Sequence, residues 1–314
     1  MNFSKTFLLI ILGSIVFYSI FLFLSDISSL ETYSINFKYE YTPIILIFVL
    51  ISWIPLYLRW RLLCKNLGIH ISFRNDFFVY IAGFALSITP AKVGELLRTQ
   101  ILREKSGIQR TQTTPLIFIE KFYDLLGAVI ASSFGIVYFP EIGIIVLGGF
   151  ILSIIIFILF SSKITFDKSI ILLSKFKFTK KFIEPLSKSH EILKISTKPK
   201  ILTPSIILSI LYWLTISSAV FYVLKALSID SLDFLEIVSI YTSSLFLGAL
   251  SFLPGGLGIA EGSFTGLLNV QGISLSAAVV IVIIVRLFTL WFNVVIGFIV
   301  LKVVGGFSIK SSNS

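Results

Sequence analysis

Two similar stretches decide the fold: ALSITPAKVGE at residues Ala85–Glu95 and ALSFLPGGLGIAE at residues Ala249–Glu261. Each begins inside an apolar run and then carries a proline, a glycine and a glutamate in that order. Proline removes a backbone donor and glycine lets the chain turn, so each stretch predicts a broken helix. In a membrane, the backbone groups left unpaired at such a break must face protein or a water-filled cavity. The two stretches therefore predict polar surroundings inside a bilayer.

The composition is that of an integral membrane protein. Of the 314 residues, 56% are hydrophobic and only 13% are charged, against about a quarter charged in soluble domains. Apolar runs of roughly 18 residues or more are long enough to cross the bilayer as helices. Six runs predict full crossings: Phe7–Leu24, Thr42–Leu58, Pro115–Phe139, Ile142–Phe160, Ile201–Leu224 and Ser274–Leu301. The first is expected to stay as an anchor, because it lacks a small-residue cleavage site.

The arrangement of basic residues predicts how the chain crosses the membrane, because segments rich in Lys and Arg stay in the cytoplasm. Residues 59–74 and 163–200 are rich in bases, and two other loops are mainly acidic. Both basic segments lie inside only if residues 77–105 enter and leave on the same side. By the same reasoning, residues 234–269 form a second re-entrant hairpin, entered from outside. Both termini are then cytoplasmic, and the plasma membrane is the expected location.

Residues 163–200 combine ten lysines with interleaved Ile, Leu and Phe. This pattern favours amphipathic helices that lie on an anionic inner leaflet. The alternative is a solvated basic loop that only fixes the orientation of the chain. Because apolar residues lie among the bases next to the bilayer, nucleic acid is not an expected partner.

The two broken helices belong to an internal repeat. Each copy has, in order, a proline, a glycine, a glutamate, a second glycine and a base within an apolar helix. In the first copy these are Pro90, Gly94, Glu95, Gly107 and Lys121, and in the second they are Pro254, Gly258, Glu261, Gly272 and Arg286. Three predicted crossings separate the copies, and an odd number inverts one relative to the other. Inverted repeats with broken helices are typical of transporters.

The predicted fold is therefore an all-α polytopic membrane protein with about six full crossings and two re-entrant hairpins. The whole chain, residues 1–314, is one transmembrane domain. The two repeats cover about 77–139 and 234–302.

Charges within apolar helices are costly in lipid and therefore suggest function. Glu120 and Asp124 are four residues apart in an apolar run, which places both carboxylates on one helical face. Such a pair needs a cation or a proton between them, and Arg286 in the last apolar run is the expected cation. Lys121 is expected to turn away from both carboxylates. The alternative is a structural ion cluster that only holds two helices together.

The first break carries more cations than acids. Lys92, Glu95 and Arg98 follow its proline, and Glu95 is expected to pair locally with Arg98. A cationic cluster at a re-entrant break suits a phosphate-bearing lipid head group. The alternative is that these bases only reach toward the membrane interface.

Four ordered motifs resemble the transmembrane domain of the lysylphosphatidylglycerol synthase/flippase family. They are P-x-K-x-G-E-x-x-R at Pro90–Arg98, E-K-x-x-D at Glu120–Asp124, L-P-G-G-x-G-x-x-E at Leu253–Glu261, and the mid-helix Arg286. The resemblance covers nearly the whole chain and implies flippase-like activity. Lipid synthesis is not expected, because no aminoacyl-transferase domain follows Leu301 in this sequence. Where the family usually has Glu-Arg, this chain has Glu120 followed by lysine, which keeps the charge but loses the bidentate guanidinium.

The leading hypothesis is a transporter that moves a phospholipid or a polyprenyl-phosphate-linked glycolipid between leaflets, with no cofactor and no metal. The residues assigned to substrate binding are Lys92, Glu95, Arg98, Glu120, Lys121, Asp124, Glu261 and Arg286. The residues assigned to the helix breaks are Pro90, Gly94, Pro254, Gly255, Gly256 and Gly258. The backbone amides of the second break also favour an anion.

Two other functions fit part of the sequence. A membrane-embedded polyprenyl-pyrophosphate phosphatase would also use carboxylates and arginine at broken helices, but no catalytic motif is present, so an enzyme is not expected. A membrane subunit that partners a separate lipid synthase or glycosyltransferase would use the basic segment and leave the buried charges without a role.

Overall fold

The computed structural model describes residues 37–89, 93–137, 140–174 and 190–305. The predicted first crossing, Phe7–Leu24, lies outside these residues, as do Pro90, Lys92 and part of the basic segment. Within the described ranges the chain is helical and forms no strand. The prediction of an all-α protein is confirmed.

The helices are long where the sequence is apolar and short where proline and glycine interrupt it. In chain order they are α1 (Thr42–Asn66), α2 (Phe73–Ala82), α3 (Leu97–Ser106), α4 (Arg110–Ser133), α5 (Gly143–Ser161), α6 (Lys163–Ser174), α7 (His190–Ser196), α8 (Pro199–Ala226), α9 (Phe234–Leu250), α10 (Ile259–Val270), α11 (Leu275–Arg286) and α12 (Phe292–Val303). One π-helical turn, Leu287–Trp291, joins α11 to α12.

Four helical stretches of the described chain are long and apolar enough to cross a membrane: Tyr39–Asn66, Pro140–Ser161, Pro199–Ala226 and Leu275–Val303. They match four of the six predicted crossings. A fifth predicted crossing corresponds to α4, which has 24 residues but carries three charges in its middle. The chain is an integral, polytopic membrane protein.

The long helices expose apolar side chains and pack through their other faces. In α5, Ile144, Leu147 and Ile151 are exposed. α1 and α8 pack along each other, and α8 also packs against α4, so that side chains such as Val49 and Trp213 are buried. Because lipid is as apolar as these side chains, close packing holds the helices together.

The first break forms the predicted broken hairpin. α2 tightens into a 3-10 turn at Gly83–Leu86, and the chain returns through a second such turn, Val93–Leu96, into α3. The two turns pack against each other, and α2 packs against α3. With ten residues, α2 is about 15 Å long and its turn adds about 8 Å. Together they fall short of the hydrocarbon core, which is roughly 30 Å thick.

The second break also turns the chain back. α9 and α10 pack against each other on either side of it. Gly255, Gly256 and Gly258 have φ angles of +62°, +70° and +87°, which glycine adopts without strain. The Gly258 amide donates to Glu261 Oε2 at 2.8 Å, so this carboxylate satisfies a backbone donor at the start of α10.

Each hairpin packs against the long helix of the other half. α2 and its 3-10 turn lie against α12, whereas α9 lies against α4. Gly297 of α12 lies so close to the first hairpin that an added Cβ would be 2.2 Å from the Ala85 nitrogen. Just after α4, the Gly135 amide donates to Ser239 Oγ of α9 at 2.8 Å. The two halves therefore support each other's broken elements.

The order of elements is the same in both halves. In each, the hairpin ends at a glycine in the left-handed region, Gly107 at φ +69° and Gly272 at φ +85°. A long helix that carries a base follows. This order agrees with the alignment of the two copies from sequence, while their opposite orientation in the membrane stays a prediction.

Replacing Gly297 with alanine tests the close approach between the halves. We expect Gly297→Ala to destabilise the protein by roughly 1–3 kcal/mol, because overpacking pushes the hairpin backbone away. The matched control is Gly148→Ala in α5, where an added Cβ meets nothing within 4 Å and where alanine improves helix propensity. Thermal unfolding in detergent, followed by tryptophan fluorescence, measures both variants. Equal unfolding midpoints would contradict the close approach.

Candidate functional site

Six charged side chains from the first hairpin, α1 and α4 form one connected network, which we call the charge ladder. Along the ladder they follow the order Arg59, Asp124, Lys121, Glu95, Arg98 and Glu120. Positive and negative groups alternate, and three cations balance three carboxylates. Such pairing offsets the large cost of removing charges from water.

The ladder is buried at the end formed by Glu120. Arg98 forms an ion pair with Glu120, and only 2% of each side chain is exposed. The pair that Arg98 makes with Glu95, at 3.3 Å, is the local pair predicted from their spacing. The Arg98 guanidinium also lies over the rings of Trp60 and Tyr80, 4.6 Å from each centroid. Two aromatic faces and two carboxylates thus replace the water that Arg98 loses.

The ladder is partly open at its middle member, Lys121. Lys121 Nζ lies 2.9 Å from Glu95 Oε2 and 3.3 Å from Asp124 Oδ2, and 28% of the lysine side chain is exposed. Arg59 Nη2 donates to Asp124 Oδ1 at 2.6 Å, and Arg59 Nη1 donates to Ser209 Oγ of α8 at 2.5 Å. An incoming polar group therefore meets Lys121 and Asp124 before the rest of the ladder.

The prediction that Lys121 turns away from the carboxylates is wrong. Lys121 bonds Asp124, three residues further along α4, and reaches Glu95 on the hairpin. Residues three apart are neighbours on a helix surface, and the long flexible stem of lysine lets its ammonium bridge two elements. Lys121 therefore links α4 to the first hairpin.

The prediction that Arg286 lies between Glu120 and Asp124 is also wrong. Those two carboxylates take their cations from within the ladder. Arg286 Nε instead pairs with Glu261 Oε1 at 2.8 Å, and 7% and 0% of the two side chains are exposed. The reason is topological, because Arg286 ends α11 in the second half and the second hairpin brings its own acid to that helix.

The two halves consequently contain equivalent ion pairs. Lys121 and Arg286 occupy matching positions in the repeat, and each bonds the glutamate of its own hairpin, at 2.9 Å and 2.8 Å. Access to the two pairs differs, since 28% of the Lys121 side chain is exposed but only 7% of the Arg286 side chain. The first pair is reachable and the second is sealed.

Sequence reasoning missed Arg59, which it counted among the cytoplasmic bases. Only 1% of this residue is exposed. The helical spacing contained the signal, because Ser52, Leu56, Arg59 and Leu63 recur every three or four residues and are all buried. A base in such an interior stripe indicates a carboxylate on another helix, and that carboxylate is Asp124.

The glycines of the two breaks have different surroundings. Gly94 lies in the 3-10 turn that leads into α3. In the second break the Gly256 amide donates to the Leu253 carbonyl at 3.0 Å, and the Gly258 amide donates to Glu261 Oε2 at 2.8 Å. Both amides already donate to acceptors within the protein. The Glu261 carboxylate therefore occupies part of the place where an anion was expected to bind.

Comparison with known proteins gives two matches. Residues 10–297 match the family described as lysylphosphatidylglycerol synthase TM region, a range that contains the charge ladder and the Arg286–Glu261 pair. A UPF0104 membrane protein of Methanocaldococcus jannaschii is 26% identical over 234 residues, which are 70% of this chain and 94% of that protein.

Removing one member of the buried Arg286–Glu261 pair tests whether this pair stabilises the protein. We expect Arg286→Met to destabilise the protein by about 3–5 kcal/mol, because Glu261 is left as a buried charge without this cation. Adding Glu261→Gln in the same chain should recover most of the loss. Thermal unfolding in detergent measures these two variants and the single variant Glu261→Gln.

The control for this prediction is Lys225→Met, which removes the base of an exposed pair with Asp230, at 2.5 Å. Exposed pairs contribute little to stability, so its midpoint should stay near that of the unmodified protein. A loss in the double variant as large as the sum of the two single losses would contradict direct pairing of Arg286 with Glu261.

Proposed function

Because the chain belongs to the lysylphosphatidylglycerol synthase TM-region family, we propose that it moves a lipid with a phosphate-bearing head group from one leaflet to the other. The cargo is a phospholipid or a polyprenyl-phosphate-linked glycolipid, and the membrane is the plasma membrane, with both termini in the cytoplasm. The observation that carries the proposal is the charge ladder, which is closed at Glu120 and open at Lys121.

A head group joins the ladder by exchanging partners. Because the charges of the ladder are balanced, a phosphate that binds Lys121 displaces Glu95 or Asp124 from the ammonium. The displaced carboxylate keeps one cation, Arg98 for Glu95 or Arg59 for Asp124, but the added phosphate leaves an excess of negative charge that another cation or a proton offsets. A head group with both a phosphate and an ammonium supplies that cation itself, whereas a purely anionic head group requires proton uptake by Glu95 or Asp124.

The two equivalent ion pairs act as alternating gates in this proposal. Each pair joins the second arm of a broken hairpin to the long helix that follows it. Separating Glu95 from Lys121 opens the site toward one leaflet, and separating Glu261 from Arg286 opens it toward the other. The greater exposure of the first pair supports a state poised to receive cargo on that side. Inverted repeats give transporters such paired states.

The proposal assigns no bond-breaking step to the ladder. The acyl tails stay in the lipid while the head group crosses through the protein. The side chains therefore replace the water around the head group and pair with its charges. A separate lipid synthase or glycosyltransferase supplies the cargo, and the basic segment of residues 163–200 is the surface for such a partner or for the membrane.

Leaflet exchange in proteoliposomes tests the proposal. A fluorescent aminoacylated phospholipid and a fluorescent phosphatidylglycerol are incorporated, and a membrane-impermeant quencher reports the fraction in the outer leaflet over time. We expect Lys121→Met and Glu120→Gln each to slow exchange by about tenfold or more, since one charge-assisted hydrogen bond is worth about 1.5–3 kcal/mol. Lys225→Met removes a lysine outside the ladder and should leave the exchange rate unchanged.

Two results would count against translocation. If leaflet exchange is equally fast with and without Lys121, the charge ladder takes no part in translocation. Phosphate release from polyprenyl pyrophosphate, with no leaflet exchange of any lipid, would instead support the membrane-embedded phosphatase.

A further inference from the structure

A polar cavity lies outside the charge ladder, where α1 ends and the chain turns toward α2. Its volume is about 330 Å³, and its lining includes three basic side chains, Arg61, Lys65 and His70, and one acidic side chain, Asp76. None of these residues belongs to the ladder. The cavity is therefore a feature that the proposed translocation does not use.

The acidic residue of the cavity is already engaged by the protein. Asp76 is 3% exposed. Its Oδ1 accepts a hydrogen bond from Trp60 Nε1 at 2.9 Å, and its Oδ2 accepts one from the Tyr57 hydroxyl at 3.3 Å. Neutral donors leave the negative charge of Asp76 in place, so it offsets one of the two positive charges of Arg61 and Lys65, and the cavity keeps a net positive charge.

Arg61 Nη1 donates to the Tyr57 hydroxyl at 3.5 Å, and Lys65 is exposed. The ion pairs found within the described ranges of the chain do not include Arg61 or Lys65. Arg61 lies 5.7 Å from the ring of Phe73, an aromatic side chain that is 64% exposed. The cavity thus presents a net positive charge beside an exposed apolar surface.

The surface that leads to the cavity is apolar and faces lipid. Along the membrane-spanning helix α1, the exposed apolar side chains include Ile47, Ile51, Ile54 and Leu58, which recur every three or four residues. Arg61 and Lys65 continue the same helical spacing. Acyl chains therefore lie along this stripe, and the bases stand where the stripe ends, at the level of a lipid head group.

From these observations we infer that the cavity binds the phosphate of an anionic phospholipid, with an acyl chain along Ile54 and Leu58. Arg61 and Lys65 hold the phosphate, and His70 closes the polar side. A lipid fits better than free phosphate because the cavity is continuous with the lipid-facing stripe. This binding site goes beyond the proposed translocation and does not depend on it.

Native mass spectrometry of the full chain, released from detergent, tests the inference. The probes are phosphatidylglycerol and phosphatidylcholine of the same acyl composition. The unmodified protein should retain phosphatidylglycerol preferentially. Arg61→Gln with Lys65→Gln should lower its retention by about tenfold or more, since each base near an anionic lipid contributes about a factor of five. Retention of phosphatidylcholine should not change.

The matched control is Arg103→Gln with Lys105→Gln, which removes two exposed bases from the last turn of α3. This variant should retain phosphatidylglycerol like the unmodified protein. The single charge reversal Lys65→Glu, at an exposed position, should by itself lower retention of phosphatidylglycerol. It provides the test if the double variant does not fold. Equal retention by the cavity variants and the control would overturn the inference.

Inorganic phosphate distinguishes the two sources of the anion. Added at millimolar concentration, it should leave phosphatidylglycerol bound, and displacement of the lipid would overturn the assignment to a lipid. The cavity is tested by retention of phosphatidylglycerol in Arg61→Gln with Lys65→Gln, whereas translocation is tested by leaflet exchange in Lys121→Met. Failure of the cavity site and failure of the translocation proposal are therefore separate results.

Discussion

The pairing of charges that lipid would otherwise exclude is the constraint on which this architecture depends. A charged side chain at the centre of a bilayer costs at least about 2.5–3.5 kcal/mol, and α4 carries three of them. The broken hairpin brings Glu95 and Arg98 to α4, and α1 brings Arg59. Without the break, Glu95 and Arg98 would continue along the axis of α2, and the chain would not turn back to bring them to α4.

Much of the fold follows from local sequence. Length and hydropathy mark the long helices, and a proline followed by glycine marks each break. The pairing of Glu95 with Arg98 was also accessible, because residues three apart on a helical stretch are neighbours. These features depend on residues close together in the chain, which is why sequence reasoning reached them.

The wrong predictions concern contacts between distant elements. The apolar sequence around Arg286 does not show whether its acidic partner is Asp124 or Glu261. Only the packing of the helices decides between the two. Sequence symmetry nevertheless contained the answer, since the matching base Lys121 follows a hairpin with its own glutamate. The charge of Arg59 by itself indicates only orientation, and its position in the buried stripe of α1 is what indicates that it lies inside the protein.

The π turn Leu287–Trp291 follows Arg286 directly. A wider turn of this kind accommodates an extra residue, and each residue changes the rotational phase of a helix by about 100°. The side chains of α12 are therefore rotated about the helix axis relative to those of α11. As a result, one membrane-crossing segment directs Arg286 to the second hairpin and Gly297 to the first. A single-residue deletion in this turn would uncouple those two orientations while leaving Arg286 and Gly297 in the sequence.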